Sequence, residues 1–79
     1  MSHNTEQRLV YMANQIGTFF RAQGHDQAVA AVANHISRFW DPRMRAQIFA
    51  YLSEHGGEGL DPDVKEAIEI LAKKAKTVA

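Results

Sequence analysis

The sequence predicts an all-α fold, a single small domain of about four helices packed as a compact bundle. Three observations point there. Apolar residues recur at three- and four-residue spacing in four separate stretches of the 79-residue chain, which is the period of a helix face. Each stretch is bounded by glycine or by an Asp-Pro pair, residues that stop and start helices. No repeat and no low-complexity segment interrupts the pattern.

The first helix is expected from about Thr5 to Gln23. Asn4 or Thr5 can cap it, and Leu9, Met12, Ile16, Phe19 and Phe20 share one face. Gly24 is placed to stop it in a left-handed conformation. The second helix starts with Asp26 as its cap and runs to about Trp40, with Val29, Val32, Ile36, Phe39 and Trp40 as its apolar stripe. Ala28, Ala30, Ala31 and Ala33 raise its helix propensity and let a neighbour approach closely.

Asp41-Pro42 closes this helix, because a residue before proline avoids the α region. The same pair opens the third, with Asp41 as cap and Pro42 in the first turn. That helix, about Pro42 to His55, aligns Met44, Ile48, Tyr51 and Leu52, while Phe49 lies off the stripe and is able to meet a second surface. Residues 56–60, which contain Gly56-Gly57-Glu58-Gly59, read as a glycine-rich hinge. Asp61-Pro62 repeats the start signal, and the fourth helix turns Val64, Ala67, Ile68, Leu71 and Ala75 inward. Asp61, Asp63 and Glu66 near its start and Lys73, Lys74 and Lys76 near its end follow the helix dipole. Residues 1–79 are therefore expected to form one domain, with a flexible start over 1–4 and a frayed tail over 77–79.

Composition narrows the function. Hydrophobic residues at 46% and charged ones at 23% suit a globular chain and are too apolar for a disordered one. Nine basic side chains balance nine acidic ones, and the isoelectric point near 6.9 is well below the roughly 9 expected of a domain built to coat nucleic acid. The absence of cysteine excludes disulfides, thiolate metal sites, iron–sulfur ligation and cysteine nucleophiles. No apolar run approaches the ~18 residues of a membrane span, and the polar stretch from Met1 to Arg8 has no signal-peptide core. A cytoplasmic location is expected, with no membrane partner. A chain this short buries only about 60% of its unfolded surface. Small domains commonly recruit a disulfide, a metal or a partner, and a partner is the route the residues leave open.

Candidates for chemistry are few. The glycines at 56–59 lack the spacing and the preceding strand of a phosphate-binding loop. No pair among His3, His25, His35 and His55 is three or four residues apart, as ligands converging from one helix face would be. His25 and His55 read as helix-boundary residues and His35 as a hydrogen-bonded packing residue beside Ile36. Asp61 and Asp63 read as helix-start residues, and Glu66 and Glu69 as a solvated face. No serine or carboxylate stands at an obvious partner spacing from a histidine. No catalytic, metal-binding or cofactor-binding residue is expected.

The informative stretch is Arg38-Phe39-Trp40-Asp41-Pro42-Arg43-Met44-Arg45, which gathers the one tryptophan, a rigid proline corner and three arginines. Arginine and tryptophan are the residues most enriched at interface hot spots, and guanidinium groups pair bidentately with carboxylates. Arg38, Phe39, Trp40, Arg43, Met44 and Arg45 are the candidate partner-binding residues. Two other readings stand beside this one: Phe39, Trp40 and Met44 fill the core at the corner while the arginines are solvated, or the corner binds an anion or nucleic acid. Charge is also asymmetric. All five arginines precede residue 46 and all four lysines lie from Lys65 onward, and interfaces favour arginine and avoid lysine. The first three helices are thus expected to face a partner and the fourth to cover the outside. Reversing the charge of Arg43 and Arg45 should then abolish complex formation and leave the helix content of the isolated chain unchanged.

Several runs resemble a known family. Leu9-Val10-Tyr11-Met12-Ala13-Asn14-Gln15-Ile16 with Phe19-Phe20 is similar to the opening of the delta subunit of cytoplasmic NAD-dependent, molybdenum- or tungsten-containing formate dehydrogenases. The likeness continues through Ala28-Val29-Ala30, Ala33-Asn34-His35-Ile36 and Gly57-Glu58-Gly59-Leu60-Asp61-Pro62. It is clearest at Arg38 to Arg45, and it covers about Leu9 to Leu71. The resemblance implies a non-catalytic subunit without a cofactor of its own. Its alpha-subunit partner would hold the molybdopterin and iron–sulfur clusters and oxidise formate, and companion subunits would pass electrons through FMN to NAD. By that likeness this chain binds the alpha subunit and supports assembly or stability of the active complex. The residues also leave open a small helical homodimer, joined through Phe19-Phe20 and Phe39-Trp40, and a helical nucleic-acid-binding module using the third helix.

Overall fold

The computed structural model describes the backbone of residues 2–78 and the side chains of 5–75. The flexible start expected over 1–4 and the frayed tail expected over 77–79 lie outside the fully described residues. Four α-helices follow one another: α1 (Ser2–Phe20), α2 (His25–Phe39), α3 (Pro42–His55) and α4 (Pro62–Val78). No strand occurs among the described residues. The Cα radius of gyration is 11.6 Å, the value expected for a compact chain of this length, about 11.6 Å. The four helices are one packed unit.

Helix ends follow their local chemistry. Asp41 caps α3, its side chain accepting the backbone N–H of Met44 at 2.9 Å, with Pro42 in the first turn. α3 ends at Gly56 in the left-handed conformation. Two boundaries differ from expectation. α1 starts at Ser2, ahead of the expected caps Asn4 and Thr5, and its last turn, Arg21–Gln23, tightens into a 3₁₀ helix. Gly24 rather than Asp26 occupies the N-cap of α2, at φ 102° and ψ 156°. That backbone shape is closed to residues with a Cβ, so the glycine sets the turn, and Asp26 falls inside the first helical turn, where its charge still suits the dipole.

The core is built from Leu9 and Ala13 of α1, Val29, Val32 and Ile36 of α2, Ile48 of α3, and Val64, Ala67 and Ile68 of α4, with Trp40 closing it at the α2–α3 corner. Most of these lie on the expected stripes. Phe19, Phe39 and Ala75 do not turn inward: all three are exposed. Phe49, off the α3 stripe, is half-buried against the core. Gly17 lets α1 and α4 approach closely, because a Cβ there would lie 2.4 Å from Val64 Cγ2.

The connection between α3 and α4, read as a hinge, is pinned to α1 and α3. Tyr51 Oη donates to the carbonyl of Glu58 at 2.6 Å. Asn14 Nδ2 donates to the carbonyl of Gly59 at 2.9 Å, and Asn14 Oδ1 accepts the N–H of Asp61 at 2.9 Å. A single amide thereby satisfies backbone groups on both sides of Leu60.

Candidate protein-binding site

The corner between α2 and α3 divides its residues between fold and surface. Trp40 is 4% exposed and sits in the core. Phe39, its immediate neighbour, is 72% exposed. Met44 is half-buried and packs against the core, while Arg38 and Arg43 are exposed. Arg45 is half-buried, and its guanidinium donates to the carbonyls of Ser37, at 3.3 Å, and of Trp40. Those carbonyls end α2 and have no partner within the helix, so Arg45 caps it. Trp40 and Arg45 are therefore parts of the fold, which corrects the expectation that reversing Arg43 and Arg45 leaves the helix content unchanged. Reversal at Arg45 also uncaps α2.

Phe39 belongs to a row of rings on the outside. His35 lies four residues before it on α2, with ring centroids 4.8 Å apart. Phe20 stands 6.4 Å from His35 across the α1–α2 boundary, and Phe19 packs edge-on against Phe20 at 5.0 Å. Phe19 is 76% exposed. Phe19, Phe20 and His35 also wall a groove of about 400 Å³, together with Met12, Gln15, Ile16 and Trp40. His35 was expected to pack through a hydrogen bond. It packs instead through ring contacts, with no hydrogen bond among the described residues.

Polar chemistry elsewhere is structural. Arg21 donates from Nε to Asp63 Oδ2 at 2.8 Å, and from Nη2 to Asp63 Oδ1 and Asp61 Oδ2 at 3.0 Å each, tying the end of α1 to the start of α4. Asp63 is buried and also accepts the N–H of Val64 at 2.9 Å. The Arg21 hydrogen bonds hold the Asp63 carboxyl below the usual carboxylate range, against the opposing effect of its burial. Reading Asp61 and Asp63 as helix-start residues missed this clamp, because its third member lies 40 residues away from the nearer of them.

Metal-capable side chains converge at one place among the described residues. Glu6, Glu54 and His55 bring their ligand atoms within 4.8 Å of one another. The spacing rule did not find them because Glu6 comes from α1 and the other two from the end of α3. Glu54 and His55 are exposed, and His55 also stacks near Tyr51 at 5.0 Å. No helix among the described residues is long and apolar enough to cross a membrane.

The α1–α2 side of the described residues presents an aromatic, open surface. A family model for the NADH-dependent formate dehydrogenase delta subunit, FdsD, matches residues 8–68. The chain belongs to that family. It is thus a formate dehydrogenase delta subunit by family, and other subunits of that complex are its implied partners. No curated protein and no solved structure matches it. The matched stretch contains the α2–α3 corner, the whole row of rings and the Arg21–Asp63 clamp.

One contact of this FdsD-family chain depends on the protonation of a histidine. His25 Nε2 lies 3.0 Å from Glu66 Oε1, joining α2 to α4. The hydrogen bond to Glu66 raises the His25 pKa above its ordinary 6.5, with desolvation opposing. A folded value above the unfolded one means the stabilisation is complete below the unfolded pKa and is lost as pH rises through the folded value. The thermal midpoint is expected to fall across that window, and His25→Gln should flatten this part of the profile. Calorimetry between about pH 6 and 8 checks it, and a level wild-type midpoint rejects the contribution. Asp63 acts at the other limb: its lowered pKa stabilises the fold above the unfolded value, and that contribution disappears as pH falls through the folded one.

Proposed function

We propose that this chain is a non-catalytic structural subunit that binds the molybdopterin-bearing alpha subunit of formate dehydrogenase and supports assembly and stability of the active complex in the cytoplasm. The observation that carries this is the outer row of rings, exposed Phe19 and Phe39 flanking half-buried Phe20 and His35, on a member of the delta-subunit family. A contiguous aromatic patch on the outside of a small domain marks a surface awaiting a partner. Of the residues singled out by the sequence, Arg38, Phe39 and Arg43 make the contact, and Trp40, Met44 and Arg45 hold the corner that presents them. In this reading the chain carries no cofactor, and the molybdopterin, iron–sulfur clusters and FMN belong to companion subunits.

The test is expression of the remaining subunits with and without this chain. Omission should cut the yield of assembled complex several-fold, while formate-dependent NAD reduction per mole of assembled, metal-loaded complex stays unchanged. An intact assembly that has lost turnover would overturn the non-catalytic role. Equal yield and equal activity would overturn the assembly role.

A further inference from the structure

We propose that the α1–α2 groove seats an apolar segment of the large subunit that carries carboxylates beside its apolar anchors. The proposal deepens the reading that this chain binds that subunit, and rests on it. The groove walls set the first half of the occupant's chemistry. Met12, Ile16, Phe19, Phe20 and Trp40 present carbon surface, and a concave apolar wall gains most from aromatic or aliphatic anchors that fill it.

The charges around it set the second half. No acidic residue lines the groove. Arg8 lies one turn before Met12 on the same face of α1. On α2 Arg38 lies three residues after the groove residue His35, Arg43 follows Trp40 by three residues, and Arg45 is bonded to the Trp40 carbonyl. Arg8, Arg38 and Arg43 are exposed and make no ion pair among the described residues. The one acid at the corner, Asp41, is engaged in capping α3. Unneutralised guanidinium groups within a helical turn of the wall residues Met12 and His35, with Arg43 beyond the corner, complement an occupant with carboxylates beside its apolar anchors, which they can bind bidentately.

The same charges argue against a second copy of this chain. A two-fold contact brings each patch against itself. It would therefore set arginines against arginines, and like charges across an interface are costly.

The experiment places a photo-crosslinking benzoylphenylalanine at Phe19, at Phe39 and, as a control on exposed α4, at Glu69, in the full chain co-expressed with the other subunits. Positions 19 and 39 should crosslink to a large-subunit peptide that contains apolar residues and at least two carboxylates, and position 69 should not. The triple variant Arg8→Glu/Arg38→Glu/Arg43→Glu should lose capture of the complex by about tenfold or more at an unchanged thermal midpoint, with the matching lysine triple, which keeps the charge and loses the fork, losing clearly less. Crosslinks joining two copies of this chain, or a basic target peptide, overturn the proposal. Crosslinks from position 69 alone, with the large subunit still co-purifying, overturn the groove assignment and leave the proposed function standing. Failure of the wild-type chain to co-purify with the large subunit sinks both.

Discussion

Trp40→Ala is expected to remove about 3–5 kcal/mol of stability from the isolated chain, the usual cost of truncating a buried tryptophan. Trp40 is 4% exposed, in contact with the same core that holds Ile36 and Ile48. A domain of this size has roughly 4–12 kcal/mol in total at typical stability per residue. The variant should therefore unfold at much lower urea, or lose much of its helical signal at room temperature. Phe39→Ala, one residue earlier, should change stability by no more than about 0.5 kcal/mol, because the side chain is exposed. It should still weaken capture of the partner complex. Urea titration followed by circular dichroism reads the first effect and co-purification reads the second. A Trp40→Ala midpoint equal to wild type would remove Trp40 from the core, and a large loss at Phe39 would remove it from the surface.

Gly17→Val carries the second large effect, a loss of about 1–3 kcal/mol from overpacking. Valine should favour a helix interior over glycine, and at an open site the change would be neutral or helpful. Here even a Cβ would meet Val64 Cγ2 at 2.4 Å and Arg21 Nη2 at 3.1 Å. The new side chain would press α1 away from α4 at the point where Arg21 reaches Asp63, straining the clamp as well as the core. Val64→Ala removes the methyl in the way, so the two changes should couple favourably by about 0.5–3 kcal/mol in a double-mutant cycle. Strict additivity would show that the two helices are not held at this distance.

Much of the architecture was legible because its signals act within a turn. The range expected for α3, Pro42 to His55, matches the observed helix, since an Asp cap, a first-turn proline and a terminal glycine specify both ends locally. The α2 start was misread by two residues because Gly24 and Asp26 both offer a start, and the positive φ of Gly24 decides between them. The α2 stripe was right at Val29, Val32 and Ile36. It was ambiguous at its end, since positions three and four beyond Ile36 lie about equally close to the inward direction of a 3.6-residue helix. The surface was legible only in part. Phe39, Arg38 and Arg43 were singled out as a partner surface, but Phe19 and Phe20 were placed on the inward face except in the homodimer alternative, and His35 was read as a packing residue.

The sequence by itself determined four helices, their breaks, the absence of thiol chemistry and, through its family runs, membership among formate dehydrogenase delta subunits. Tertiary structure alone decided which of two adjacent aromatic residues is core. Trp40 leaves α2 with an extended backbone, φ −84° and ψ 137°, so its ring no longer follows the helical increment and turns under the corner. Phe39 stays on the outer stripe with His35. Tertiary structure also decided which arginines remain available. Arg21 and Arg45 are spent on carboxylates and helix-end carbonyls brought to them by folding, and Arg38 and Arg43 meet no such group. Periodicity reports the face of one helix, and the partner of a charge depends on where another helix is packed against it.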